Sequence, residues 1–207
     1  MIKVTAELIL DQTKELFDLG LGHATEEISQ LVDSEVKLSV ASANFCPLNQ
    51  IAQELGGVTR YVVAIYHEFI GELEGKGFLI IDQESSIRLV RYLLNDEFHC
   101  EYMTETEKDV IVDLCSEITN GVLAVLKSSL DLKLTSRLPK YLEGTLGSIL
   151  NEMMGKDAKE DLYLLVKVSV ELADKNALSE LIFVQTHSDF QNIIDPLTRL
   201  IQNKMES

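Results

Sequence analysis

The sequence predicts an α+β fold made of two related halves. Along the 207 residues, a helix pattern and then a strand pattern occur twice, and each time a predicted β-hairpin and a second helix follow. Such αββ-type repetition indicates an internal duplication. We therefore expect pseudo-two-fold halves that share a mostly antiparallel sheet flanked by helices. The chain is interpreted as one domain, 1–207, with repeats at about 5–100 and 104–204.

The first half shows these periodicities in order. Apolar residues at helical spacing come first, and alternating apolar residues typical of a strand come next. Two further strands then precede a helix that we expect Ser85 to cap. The helix, strand, hairpin and helix are predicted at 9–32, 36–40, 61–81 and 84–94.

The second half repeats the order and begins with a stronger signal. Thr104 and Glu107 have the spacing of a capping box, which predicts a long helix that ends near Ser129. The strand, hairpin and last helix of this half are predicted at 132–136, 162–185 and 187–197.

Acidic residues dominate the charge: 34 Asp and Glu stand against 18 Lys and Arg, and the formal net charge is −16. Nucleic acids and anionic membranes are bound mainly through Lys and Arg, so neither is an expected partner. The charge instead favours attraction to a basic protein surface. No apolar run approaches the ~20 residues that span a membrane, and acidic residues in the N-terminal segment argue against a signal peptide.

Cysteine usage points to a reducing compartment. The three cysteines are odd in number and widely spaced, which predicts reduced thiols and a cytoplasmic protein; they are Cys46, Cys100 and Cys115. Neither the cysteines nor the histidines have the paired spacing of metal ligands, so we predict no metal site. The histidines are His23, His67, His99 and His187. His23 follows Gly20 and Gly22, and we interpret all three as residues of a close helix contact.

One polar pattern is repeated on the two long predicted helices. The two triplets, 102 positions apart, are Asp11-Glu15-Asp18 and Asp113-Glu117-Asn120. Steps of four and three residues place each triplet on one stripe of its helix. Such a stripe is usually a solvated face, and a duplicated helix inherits its polar face.

The residues around both triplets resemble a known family. The segments 11–24 and 113–122 are similar to the opening helices of the CheC/CheX/FliY chemotaxis phosphatases, which carry an acid or serine, then Glu, then Asn at these spacings, with a proline downstream. The similarity extends over nearly the whole chain, including a helix expected at 48–57. The length and the two copies favour CheC over the shorter CheX.

Two positions depart from the family pattern. Asp18 stands where the family has Asn, so the resemblance implies a degenerate first site. Pro139, the candidate downstream proline, lies 19 positions after Asn120, a few short of the usual spacing.

The resemblance implies a mechanism for the second copy. Glu117 would pair with a lysine of a phosphorylated receiver domain, and Asn120 would align a water molecule with the aspartyl phosphate. The Mg²⁺ belongs to the receiver, so no cofactor is expected on this chain. Glu117 and Asn120 are the predicted catalytic pair, Glu15 and Asp18 a degenerate pair, and Asp11 and Asp113 possible docking residues.

Two functions follow from this pattern. The first is a phosphatase that acts on a CheY-like response regulator in chemotaxis or another two-component pathway. The alternative is a non-catalytic adaptor that binds a receiver domain, a flagellar-switch component or a CheD-type deamidase. Activity that requires Glu117 and Asn120 distinguishes the enzyme from the adaptor.

Overall fold

The computed structural model describes residues 5–32, 35–72, 75–94, 102–154, 162–172 and 179–206. The first half contains α1 (Ala6–Val32), β1 (Val36–Pro47), α2 (Leu48–Glu54), β2 (Tyr61–Gly71), β3 (Gly75–Asp82) and α3 (Gln83–Leu94). The second half contains α4 (Glu105–Leu130), β4 (Leu134–Ser136), β5 (Lys140–Thr145), α5 (Leu146–Met154), β6 (Leu162–Leu172), β7 (Ser179–Thr186) and α6 (His187–Glu206). The predicted α+β fold is confirmed.

The strands form one sheet of seven, and every described pairing is antiparallel. The order is β1-β6-β7-β3-β2, with β4 and β5 both paired to the outer side of β2. The two hairpins, β2–β3 and β6–β7, meet at the centre, and each is bordered by the strand from the other half. This exchange of edge strands ties the halves into one sheet.

The two edge strands differ at equivalent places. β1 pairs with β6 from Val36 to Pro47 and has one register shift between Val40 and Ser42. Opposite it, β4 and β5 act as two pieces of one edge strand, separated by the residues 137–139. Pro139 lies in this gap, where it does not have to supply a backbone N–H to a ladder.

The sheet separates two hydrophobic cores. On β2, Val63 and Ile65 belong to the larger core with α1, α4, α3 and α6, whereas Val62 and Ala64 belong to the smaller core with α2 and α5. This alternation follows from the period of two along a strand. The long helices α1 and α4 therefore lie side by side on one face of the sheet.

The contact between α1 and α4 depends on glycine. A Cβ atom built on Gly20 would lie 2.5 Å from the Cα of Val122, and one built on Gly121 would lie 2.5 Å from the carbonyl oxygen of Gly20. The backbones approach each other so closely that no side chain fits between them. The interpretation of Gly20 as a close-contact residue is thus consistent with the structure, but Gly22 is exposed and a Cβ there would meet nothing within 4 Å.

The predicted capping box starts α4. The Thr104 hydroxyl accepts from the Glu107 backbone N–H at 3.2 Å, and the Glu107 carboxylate accepts from the Thr104 N–H at 2.6 Å. Arg91 of α3 donates to the same carboxylate at 2.9 Å. Burial acts to raise the pKa of Glu107, but these hydrogen bonds and the charge of Arg91 outweigh it, and the pKa is lowered. The contact fixes the start of α4 against α3.

Some local expectations were wrong. The cap of α3 is Asp82, whose carboxylate accepts from the Ser85 N–H at 3.0 Å, while Ser85 itself is buried inside the helix. A carboxylate at the end of β3 provides the same acceptor as a serine hydroxyl. β5 and α5 were not predicted, because the polar residues of β5 at this partly exposed edge do not alternate clearly. Cys46 and Cys115 are free and buried, whereas Cys100 and His99 lie outside the described residues.

His67 on β2 is a buried histidine, 2% exposed. Within the described part of the chain, neither of its ring nitrogens has a hydrogen-bond partner. Burial without a partner disfavours the charged ring and lowers its pKa to about 4. The folded protein therefore resists protonation of His67 at a pH where an unfolded chain accepts the proton.

We expect Gly20→Ala to lower the free energy of unfolding by about 2 kcal/mol or more, because its Cβ atom would overlap the backbone of α4. Gly22→Ala is the matched control on the same helix. It should stabilise the protein by up to about 1 kcal/mol through helix propensity alone. Urea unfolding of both variants measures the difference, and equal effects would contradict the close contact.

The pKa of His67 predicts a loss of stability in mild acid. An unfolded His binds its proton near pH 6.5, and the folded one only near pH 4. Stability therefore falls as the pH is lowered from about 6.5, by roughly 2 kcal/mol at pH 5. His67→Leu should make the free energy of unfolding, measured with urea, less dependent on pH between pH 7.5 and 5. This window lies above the pH range in which the carboxylates titrate. An unchanged slope would show that His67 is not its source.

Candidate functional site

The structure places the two triplets as the sequence predicts, on the long neighbouring helices. Asp11, Glu15 and Asp18 lie along α1, and Asp113, Glu117 and Asn120 lie along α4. All of them are exposed except Glu117, which is half-buried. Asp11 and Asp113 each stand one turn before the corresponding glutamate. The two copies differ in what surrounds the glutamate and the residue three positions later.

In the first copy, the glutamate is held by another part of the chain. Lys204 on α6 donates to both carboxylate oxygens of Glu15, at 2.7 and 2.9 Å, and Gln12 donates at 3.0 Å. The hydrogen bond from Lys204 is the main reason that the pKa of Glu15 is lowered. A second cation that approaches Glu15 must therefore compete with Lys204.

Asp18 is also engaged within the chain. Its carboxylate accepts from the backbone N–H of Val40 at 2.8 Å, next to the register shift of β1. Two more side chains of α1 act in the same way: Thr25 accepts from Leu38 and Ser29 accepts from Val36, at 3.2 and 3.1 Å. Three N–H groups of the edge strand are thus satisfied by one helix. Asp18 has a structural role that its place in the triplet did not reveal.

In the second copy, the corresponding pair opens to solvent. Glu117 and Asn120 line a groove of about 430 Å³ along the seam between α1 and α4. The remaining α4 residues of its lining are Gly121, Ala124, Val125 and Ser128, and those from α1 are His23, Ala24 and Glu27. The groove is wide enough to admit part of another molecule.

The described contacts leave this pair available. No hydrogen bond or ion pair within the described residues involves the side chain of Glu117 or Asn120, in contrast to Glu15 and Asp18. Asn120 can therefore both donate and accept hydrogen bonds toward the groove while it remains neutral. Glu117 presents a carboxylate one turn away. The arrangement can bind a cation and orient a small polar molecule beside it.

Sequence reasoning missed the α1 side of this groove. His23 was expected to be a packing residue, but it is exposed and lines the groove. The buried histidine is His67 instead. Glu27 was not singled out at all. The available signal was Gly20, because it indicates a close helix contact. One turn beyond such a contact, side chains of one helix face those of the other.

Side chains that could bind a metal ion do not cluster in the described part of the chain. Among the residues that the structure describes, no three His, Cys, Asp or Glu side chains lie close enough to hold a metal ion. None of the described helices is long and apolar enough to cross a membrane.

Comparison with known proteins places these features in context. No protein-family model matches the sequence. The CheY-P phosphatase CheC of Bacillus subtilis (strain 168) is 22% identical over 146 residues, which cover 69% of this chain and 70% of CheC.

Two solved structures share the fold. FliY of Thermotoga maritima has a TM-score of 0.80 at 15% identity, over 96% of this chain and 100% of that chain. The FliM middle domain from H. pylori has a TM-score of 0.65 at 11% identity, over 94% of this chain and 99% of that chain. The relative and the shared fold confirm the resemblance predicted from the helix triplets: this chain is similar to the CheC/CheX/FliY chemotaxis proteins.

Proposed function

We infer that the protein is a phosphatase that accelerates hydrolysis of the aspartyl phosphate on a CheY-like response regulator. One observation carries this inference: Glu117 and Asn120 face an open groove and have no side-chain partner among the described residues, while the first-copy residues are engaged by Lys204 and Val40. The similarity to a CheY-P phosphatase supports the same substrate class.

The inferred mechanism uses position rather than covalent chemistry. Glu117 pairs with a lysine of the receiver, and this charge-assisted contact fixes how the two proteins dock. Asn120 then enters the receiver's site and holds a water molecule in line with phosphorus. The receiver supplies the Mg²⁺, and this chain requires no cofactor of its own. Hydrolysis therefore needs from this chain only the carboxylate of Glu117, the amide of Asn120 and the open space around them.

The first copy lacks the properties that this mechanism needs. An ionised Asp18 cannot donate a hydrogen bond, and its negative charge would repel a phosphoryl group. Its carboxylate is also held by Val40 at the edge of the sheet. Loss of one well-placed orienting group costs on the order of 3 kcal/mol in the barrier, by analogy with single oxyanion-hole donors. We therefore assign activity to the second copy alone.

We expect Asn120→Ala to reduce phosphate release from a phosphorylated receiver by about 100-fold or more. Asp18→Ala, at the equivalent position, should leave the rate within about twofold and lower stability by roughly 1 kcal/mol, because the Val40 N–H loses its acceptor. Phosphate release from a small panel of phosphorylated receivers measures both rates. If the two variants lose activity equally, the assignment to one site is wrong.

Glu117→Gln should weaken receiver binding by on the order of tenfold, because a neutral amide replaces the charge that pairs with the receiver's lysine. Glu15→Gln is the matched control, since Lys204 already occupies that carboxylate. Michaelis parameters for both variants test this: KM should rise for Glu117→Gln and remain near the parent value for Glu15→Gln. The reverse order would assign docking to the first copy.

A non-catalytic adaptor is the second candidate. The closed first copy and the fold shared with a chain of the FliG–FliM complex from H. pylori favour it. Its partners would be a receiver domain, a flagellar-switch component or a CheD-type deamidase. A receiver that binds without faster dephosphorylation would support the adaptor and contradict the phosphatase.

A further inference from the structure

The open groove is built from both halves of the chain. α4 contributes Glu117 and Asn120, and α1 contributes His23, Ala24 and Glu27. Ala24 lies against Gly121, where an added Cβ atom would be 3.1 Å from the Cβ of Ala24. This approach brings the polar residues of α1 to the catalytic pair of α4. Neither helix alone forms the groove.

The α1 side of the groove carries polar groups that are free to bind. The described contacts assign no hydrogen bond or ion pair to the side chain of His23 or Glu27, and both are exposed. Other polar residues of α1 are engaged within the molecule, among them Gln12, Thr13, Glu15, Asp18 and Thr25. His23 and Glu27, one helical turn apart, point into the same opening as Asn120.

We propose that α1 provides the docking wall for the second-copy site, with Glu27 pairing with a basic side chain of the receiver and His23 hydrogen-bonding to the receiver beside Asn120. This proposal rests on the proposed function and adds a specificity determinant to it. Binding would then depend on residues of both halves, and hydrolysis on Asn120 of the second half.

Charge favours a basic group as the occupant of this wall. Glu27 and Glu117 present carboxylates from opposite helices into one groove, on a chain of net charge −16. A receiver that offers only its active-site lysine can neutralise Glu117 but leaves Glu27 unpaired. A receiver with a second Lys or Arg at the right distance neutralises both. Two carboxylates in one groove would therefore discriminate between receivers that share the same catalytic residues.

The test uses Glu27→Gln with Glu26→Gln as its matched control. Both variants remove one negative charge from neighbouring exposed positions of α1, but Glu26 does not line the groove. We expect Glu27→Gln to weaken binding about fivefold, which corresponds to the upper end for an exposed ion pair. The measurement is the Kd of a receiver that carries beryllofluoride in place of the phosphoryl group, so that no hydrolysis occurs. The receiver is the tightest binder of a panel. Added salt should reduce the difference from the parent protein.

His23 is tested by His23→Leu and His23→Gln. The leucine removes hydrogen bonding and should raise KM for phosphate release several-fold with little change in kcat. The glutamine retains a donor and an acceptor and should restore KM toward the parent value. Because His23 is exposed, neither change should alter thermal stability appreciably.

The outcomes separate this proposal from the proposed function. If phosphate release requires Asn120 but Glu27→Gln and Glu26→Gln behave alike, the docking wall is refuted and the phosphatase stands. If a receiver binds through Glu27 but no release is accelerated, the docking wall stands and the phosphatase is refuted. If no receiver of the panel binds or is dephosphorylated, both are overturned.

Discussion

The close contact between α1 and α4 is the constraint on which the rest of the molecule depends. Gly20 and Gly121 allow the two backbones to meet without intervening side chains. Beside this contact lies a groove that both helices line. A wider separation would place His23 and Glu27 away from Asn120 and leave Glu117 and Asn120 on an isolated helix face. The packing of the two halves therefore also determines the geometry of the site.

The edges of the sheet place different demands on the two long helices. Both long helices cover the sheet. α1 also lies along an edge strand, β1, whose outer N–H groups need acceptors. Asp18, Thr25 and Ser29 meet that need for β1. At the other edge, the strand is interrupted, and among the described contacts no strand N–H donates to Asn120. The chemistry of the third triplet position thus reflects the local demands of the sheet.

Much of the architecture follows from the sequence because its signals are local. The period of α1, the alternation at the start of β1 and the capping box of Thr104 each depend on residues a few positions apart. The triplets were found for the same reason. Lys204 and Glu15 are 189 positions apart, and no local pattern predicts that contact. The exposure of His23 likewise follows from how two distant helices cross.

The interruption between β4 and β5 affects how another molecule could bind to the sheet. A continuous exposed strand invites a second chain to add to the sheet by backbone hydrogen bonds. Here one edge is broken beside Pro139, and the N–H groups at the start of the other are already capped by α1. Both edges are therefore obstructed over part of their length. The docking proposed for α1 and α4 uses helix side chains instead, and a substitution there would leave both edges of the sheet unchanged.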